Sequence, residues 1–194
     1  MRYSPEHKQK TYDRIVEHAA RSFRKKGVDN VSISGLMADA GLTHGGFYAH
    51  FKSKEDVLLV ALERALSQTF SRLGDAANTP GGVPDRISAL LGEYLSVLHR
   101  DTPDRGCALA ALAAEAVRAE PRCRGVFADA IENGVDLLRK TMGGDDQENR
   151  SEALALVSLM VGAMLLSRAT ADSPLSTEIL AAARKQGERL AVAD

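Results

Sequence analysis

The stretch GLTHGGFYAHFKSKEDVL, Gly41–Leu58, decides how this chain is read. Gly41 ends one short helix, Leu42 is an apolar residue in a tight turn, and Thr43 caps a second short helix predicted over His44–His50. Phe47 and Phe51 fall one helical turn apart. Ser53 then starts a further helix, with Asp56 standing where a capping box usually has Glu or Gln. That helix is predicted to run from Lys54 to about Gly74, with Val57, Leu58, Ala61, Leu62, Ala65 and Leu66 facing inward. Working outward, Ser32 caps a helix over Ile33–Ala40 whose Ile33, Leu36 and Met37 share a face. Before it lies a longer amphipathic helix announced by Ser4, Pro5 and Glu6, apolar along Tyr12, Ile15, Val16, Ala19, Ala20 and Phe23, and closed by Gly27. Two short helices joined by a glycine-containing turn and preceded by a long one describe a helix-turn-helix.

In that motif the second helix enters the DNA major groove, its first residues meet bases and its flanks meet phosphates. Thr43 and the open backbone N–H groups beside it suit a phosphate, and Gly45 and Gly46 remove bulk where the helix must approach the groove. Tyr48, His50, Lys52 and Lys54 offer donors along one edge, while Phe47 and Phe51 hold the helix to its neighbours. The two glycines weaken this helix by about 1 kcal/mol each relative to Ala, so it is expected to be ordered in part by DNA.

The chain of 194 residues carries a formal net charge of -1 and 44% hydrophobic residues, which is ordinary globular composition. Collagen, extended disorder and a disulfide-stapled miniprotein are thereby excluded. The near-neutral total conceals a division. Residues 1–54 hold ten Lys/Arg against five Asp/Glu, whereas 55–194 hold fifteen against twenty-one. Four of the five histidines (His7, His18, His44, His50) also fall in the first part. A DNA-binding domain over 1–54 and a chemically different domain over 55–194 follow as the expected organisation. The polar N-terminus does not read as a secretory signal, and the apolar run Ala153–Leu166 is short for a membrane span, so a cytoplasmic protein without a membrane partner is expected. Cys107 and Cys123 have no metal-binding spacing, and no metal or cofactor is expected.

No alternating run reads as a strand, so the fold class is all-α, with about nine helices. The later ones are predicted over 84–100, 105–119, 122–142, 147–170 and 175–191, separated by Pro103, Pro121, Gly143–Asp146 and Ser173-Pro174. There is no Gly-rich phosphate loop, Gly-x-Ser-x-Gly elbow or His-Glu-x-x-His, and an enzyme is not expected.

The run GLTHGGFYAHFKSKEDVL, together with RIVEHAARSFRKKGVDNVSISGLMADAG upstream, resembles the signature of the TetR family of bacterial transcriptional regulators. The resemblance implies that Ser32, Thr43, Tyr48, His50 and Lys54 hold phosphates and that Ser34, His44 and Gly46 face bases. His44 departs from the Lys that many members have there, so base preference at that step does not carry over. It further implies a helical-bundle ligand-binding and dimerisation domain after the helix-turn-helix, and hence a homodimeric repressor released from a palindromic operator by a small-molecule effector. An effector pocket among residues 84–170 would draw on Tyr94, Leu98, Cys107, Leu112, Glu115 and Phe127, with Val117 also available. Leu156, Met160, Ala163 and Met164, followed by Ile179 and Ala183, form stripes that suit either a dimer interface or intrachain core, and the reading of two half-sites favours the dimer. Cys107 follows Arg105-Gly106 near a predicted helix start, where it is either a packed thiol or a reactive one. An electrophile- or redox-responsive regulator acting through Cys107, or a helical interaction module without DNA binding, are the alternatives.

Overall fold

Two left-handed glycines mark where the first helices stop. α1 (Pro5–Lys26) gives way to Gly27 at φ 78°, and α2 (Ile33–Asp39) passes through Ala40 to Gly41 at φ 66°. Side chains are strained in that region, which is why glycine ends both helices. The computed structural model describes residues 5–116, 121–143 and 149–191. Ser4, Val117 and the Gly144–Asp146 part of a predicted break lie outside them. Among the described residues the chain is all-helical, with α3 (Lys54–Ala77), α4 (Val83–Tyr94), α5 (Val97–Asp101), α6 (Ala108–Ala116), α7 (Pro121–Met142), α8 (Arg150–Ala169) and α9 (Leu175–Leu190). Two 3-10 segments, His44–Ala49 and Pro103–Arg105, complete the order, and there is no strand among these residues.

Among the described residues, nine α-helices match the expected number through two compensating differences. The expected second short helix is a 3-10 segment, as suits a run containing adjacent glycines. The expected helix over 84–100 is broken: Leu95 leaves the helix at ψ 52°, and Ser96 caps α5 by accepting from the His99 N–H at 3.1 Å. The next break was expected at Pro103, and the local serine bond ended the helix before it. α3 also runs past Gly74 to Ala77, and α6 starts at Ala108 rather than at 105.

The chain divides into two compact units, Met1–Leu66 with Pro103–Val126, and Ser67–Thr102 with Phe127–Asp194. The first unit therefore extends beyond the boundary expected at residue 54 and includes α6. The residues that bring α6 in are specific. Arg24, only 4% exposed, donates from Nε to the Ala20 carbonyl and from Nη1 to the Gly106 carbonyl, both at 2.9 Å. Glu115 accepts from the Val28 N–H at 2.8 Å, just after α1 has ended. These contacts tie the end of α1 to the segment around α6. Ile15, Phe23, Leu36, Met37 and Phe47 are fully buried in this unit, and all six predicted inward residues of α3 are buried too.

In the second unit Ile87, Leu90 and Leu91 of α4 and Leu156 and Met164 of α8 are fully buried. Ser167 of α8 and Ser176 of α9 are buried against each other at 2.8 Å, and the Arg100 guanidinium donates to Ser176 Oγ at 2.9 Å. The stripe of Leu156, Met160, Ala163, Met164 and Ala183 is buried within the chain, and Ile179 is half-buried. It is intrachain core, not surface open to a second chain. The large exposed apolar side chains of α8 are Leu154, Leu165 and Leu166. α8 is long and apolar enough to cross a membrane by length and composition alone, yet its opposite face is packed in this core.

Replacing Glu115 by Ala removes the acceptor of the Val28 N–H and is expected to lower stability by about 1–2 kcal/mol. Urea unfolding followed by circular dichroism measures this, and an unchanged midpoint would show that water substitutes for the carboxylate.

Candidate nucleic-acid interface

The site is built on a turn that the backbone closes by itself. The Gly41 N–H donates to the Ala38 carbonyl at 2.9 Å and the Leu42 N–H to the Met37 carbonyl at 2.8 Å, so α2 ends and the chain reverses within two residues. Ser32 caps α2 as expected, its Oγ accepting from the Gly35 N–H at 3.1 Å, and it also lies 3.2 Å from Ser34 Oγ. Both hydroxyls remain exposed. Thr43 is extended and exposed but makes no side-chain capping bond, contrary to the expected cap. Its hydroxyl is thus not engaged in holding the following segment.

His44–Ala49 is oriented by aromatic packing. Phe47 is completely buried, and its ring lies 5.5 Å from Phe51. Phe51 in turn stacks on Tyr12 of α1 at 5.0 Å and 23°. Burying these rings anchors the segment to α1 and leaves its other side in solvent. Tyr48 is 60% exposed, edge-on to Phe47 on one side and to the His44 ring, 5.9 Å away, on the other. Thr43, His44, Gly45, Tyr48 and Lys52 are exposed, while Gly46, His50 and Lys54 are half-buried. A Cβ added at Gly45 would meet nothing within 4 Å, so the fold itself does not require glycine there. The ten residues expected to meet DNA, from Ser32 to Lys54, thus all keep accessible surface and all belong to the first unit.

The chain leaves this surface through a reciprocal cap. Ser53 Oγ accepts from the Asp56 N–H at 3.2 Å, and the Asp56 carboxylate accepts from the Lys52 N–H at 3.1 Å, one residue farther back than a usual capping box. Lys8 and Tyr12 were not among the expected site residues, yet both act on His50 from α1. The Tyr12 and His50 rings are 6.3 Å apart, and burial first, then the Lys8 charge, lowers the His50 pKa from its ordinary value. Lys8 and Tyr12 are one helical turn apart, but nothing in their spacing indicates which later residue they face.

The residues expected at an effector pocket fall in both compact units. Tyr94, Leu98 and Phe127 belong to the second unit, and Cys107, Leu112 and Glu115 to the first. Leu98 is 73% exposed, so it lines no interior, and Glu115 is engaged by Val28. Tyr94 is buried with its ring edge-on to His99 at 4.7 Å, and Phe127 and Leu112 are buried as well. Cys107 immediately precedes α6 and is 2% exposed, the surroundings of a packed thiol. Among the described residues no cluster of three or more potential metal ligands occurs.

Residues 15–61 match the family described as bacterial regulatory proteins, tetR family. The chain is 32% identical over 74 residues to the uncharacterized HTH-type transcriptional regulator YerO of Bacillus subtilis, covering 38% of this chain and 26% of that one. It is 34% identical over 79 residues to the HTH-type transcriptional regulator TtgR of Pseudomonas putida, covering 41% of this chain and 37% of that one. The chain thus spans well under two thirds of the length of these relatives. A solved TetR-family regulator from Cytophaga hutchinsonii has the same fold, with a TM-score of 0.81 and 23% identity over 98% of this chain and 96% of that one.

Phe47→Ala is expected to cost about 3–5 kcal/mol, because it empties the center of the aromatic anchor, whereas Tyr48→Ala should stay within about 0.5 kcal/mol. Thermal unfolding of the two variants measures the contrast, and equal losses would mean that Phe47 does not anchor the segment.

Proposed function

We propose that this chain, whose residues 15–61 carry the N-terminal domain of the TetR family, is a cytoplasmic DNA-binding transcriptional regulator that acts as a homodimeric repressor. The observation that supports this most directly is the two-sided recognition segment: Phe47 and Phe51 are buried, while His44, Tyr48 and Lys52 stand in solvent on the part of the chain with a basic surplus. Such a segment suits the major groove. Ser34, His44 and Gly46 are assigned to base edges, and Ser32, Thr43, Tyr48, His50, Lys52 and Lys54 to phosphates. Gly45 is assigned to close approach, because its open surroundings leave room for DNA and give the fold no need for it. His44–Ala49, a 3-10 segment in the unbound chain, is assigned to gain α-helical order on the operator.

The dimer is assigned to the exposed apolar side chains of α8, Leu154, Leu165 and Leu166, in place of the buried stripe. Burial of these residues against their copies would give an isologous contact and present two reading heads. A small-molecule effector is assigned to the second unit, where Tyr94 and Phe127 are buried aromatic side chains. By linkage, an effector that weakens DNA binding must itself bind less tightly to the DNA complex.

Selection of bound duplexes from a random pool is expected to return a palindrome. With about four phosphates neutralised per dimer, affinity should fall about a hundredfold between about 50 and 200 mM salt. A Tyr48→Phe, Lys54→Ala double variant should lose most of that affinity while remaining folded, and failure of the parent chain to retain any duplex at low salt would refute the reading. Light scattering should give about twice the chain mass of 20.8 kDa, and Leu165→Glu with Leu166→Glu should return it to one chain mass. A mass of 20.8 kDa for the parent at micromolar concentration would exclude the dimer.

A further inference from the structure

We propose that operator binding is proton-linked through His50, whose imidazole takes up a proton when a DNA phosphate docks against it. This rests on the DNA-binding reading above and adds a regulatory property to it. His50 closes the recognition segment, its N–H donating to the Phe47 carbonyl at 2.9 Å. The ring is half-buried between Tyr12 of α1 and Phe51, at centroid distances of 6.3 and 6.4 Å. It is therefore held in place at the edge of the surface assigned to phosphates and is not a freely rotating surface group.

The charge that acts on the ring before DNA arrives is that of Lys8. From α1, Lys8 disfavours the imidazolium, and the Tyr12 ring packs beside it. Along the chain, Lys52 and Lys54 add positive charge. From the first turn of α3 the acidic groups are Glu55 and Asp56, and Asp56 is turned onto the Lys52 N–H. Burial, the largest cause, and Lys8 hold the free imidazole below its ordinary range. A phosphate is a full negative charge arriving at hydrogen-bond distance, which favours the imidazolium and outweighs a solvent-screened lysine.

The sign then follows. The DNA complex has the higher His50 pKa, so binding takes up a proton and tightens as pH falls. Between the free and bound pKa values the dissociation constant rises by up to about tenfold per pH unit for each His50 engaged, and by up to about a hundredfold for a dimer using both. Below the free value, and again above the bound one, the dependence levels off. His44, also on this surface, is exposed and contacts only the Tyr48 ring among aromatic groups. It provides a second histidine of the same surface for comparison.

The experiment is fluorescence anisotropy of a labelled duplex, selected from a random pool by this protein, at constant ionic strength from pH 5.5 to 8.5. The wild type, His50→Gln and His44→Gln are compared, each checked for folding by circular dichroism. The dissociation constant of the wild type should rise with pH, His44→Gln should keep that slope, and His50→Gln should lose most of it. In parallel, the His50 ring resonance of the wild type should titrate at lower pH in the free protein than with the duplex bound. A wild-type affinity independent of pH, a full slope surviving in His50→Gln, or a His50 resonance that titrates equally in both states would overturn the linkage and leave DNA binding intact. No retained duplex at any pH would overturn both readings.

Discussion

The burial of Phe47 is the constraint on which the DNA-reading surface depends. A six-residue 3-10 segment containing Gly45 and Gly46 has too little intrinsic helix propensity to hold an orientation by itself. What orients it is a column of rings, Phe47 on Phe51 and Phe51 on Tyr12, that fastens it to the long helix α1. Once that side is fixed in the core, the side bearing His44 and Tyr48 has only solvent to face. The polar surface is thus a consequence of the apolar anchor.

The first unit extends the same logic to the other end of α1. At this end Arg24 reaches the Gly106 carbonyl and Glu115 receives the Val28 N–H, so polar bonds join α1 to the region of α6. A segment about eighty residues later in the chain becomes part of the unit that carries the recognition segment. Arg24 is 4% exposed, and a guanidinium so buried is tolerated because its Nε and Nη1 have carbonyl acceptors.

Much of the fold was legible because its signals are local. Ser32, Gly27, Gly41 and Ser53 act within one turn of themselves, and each does what its chemistry suggests. The inward face of α3 follows from helical spacing alone. Other features failed for definite reasons. Ser96 broke the helix expected over 84–100, because its hydroxyl bond at a cap ended that helix before Pro103. Leu98 is apolar but lies on the exposed side of the five-residue helix that this break creates. Glu115 is occupied by a backbone N–H eighty-seven residues away, a partner that no short window of sequence contains.

The sequence by itself determined that the chain is helical, where most of its helices begin and end, and that a basic, aromatic-rich helix-turn-helix occupies its N-terminal part. Those properties depend on caps, turns and periodicity, which are interactions between near neighbours. Tertiary structure alone decided which apolar stripe would be covered: Leu156, Met160 and Met164 are core, and Leu154, Leu165 and Leu166 of the same helix are exposed. It alone placed Lys8 and Tyr12 on His50 and α6 in the unit with α1. A helix of hydrophobic residues carries no label for its inner face, and the charge near an imidazole depends on distant parts of the chain that only packing brings together.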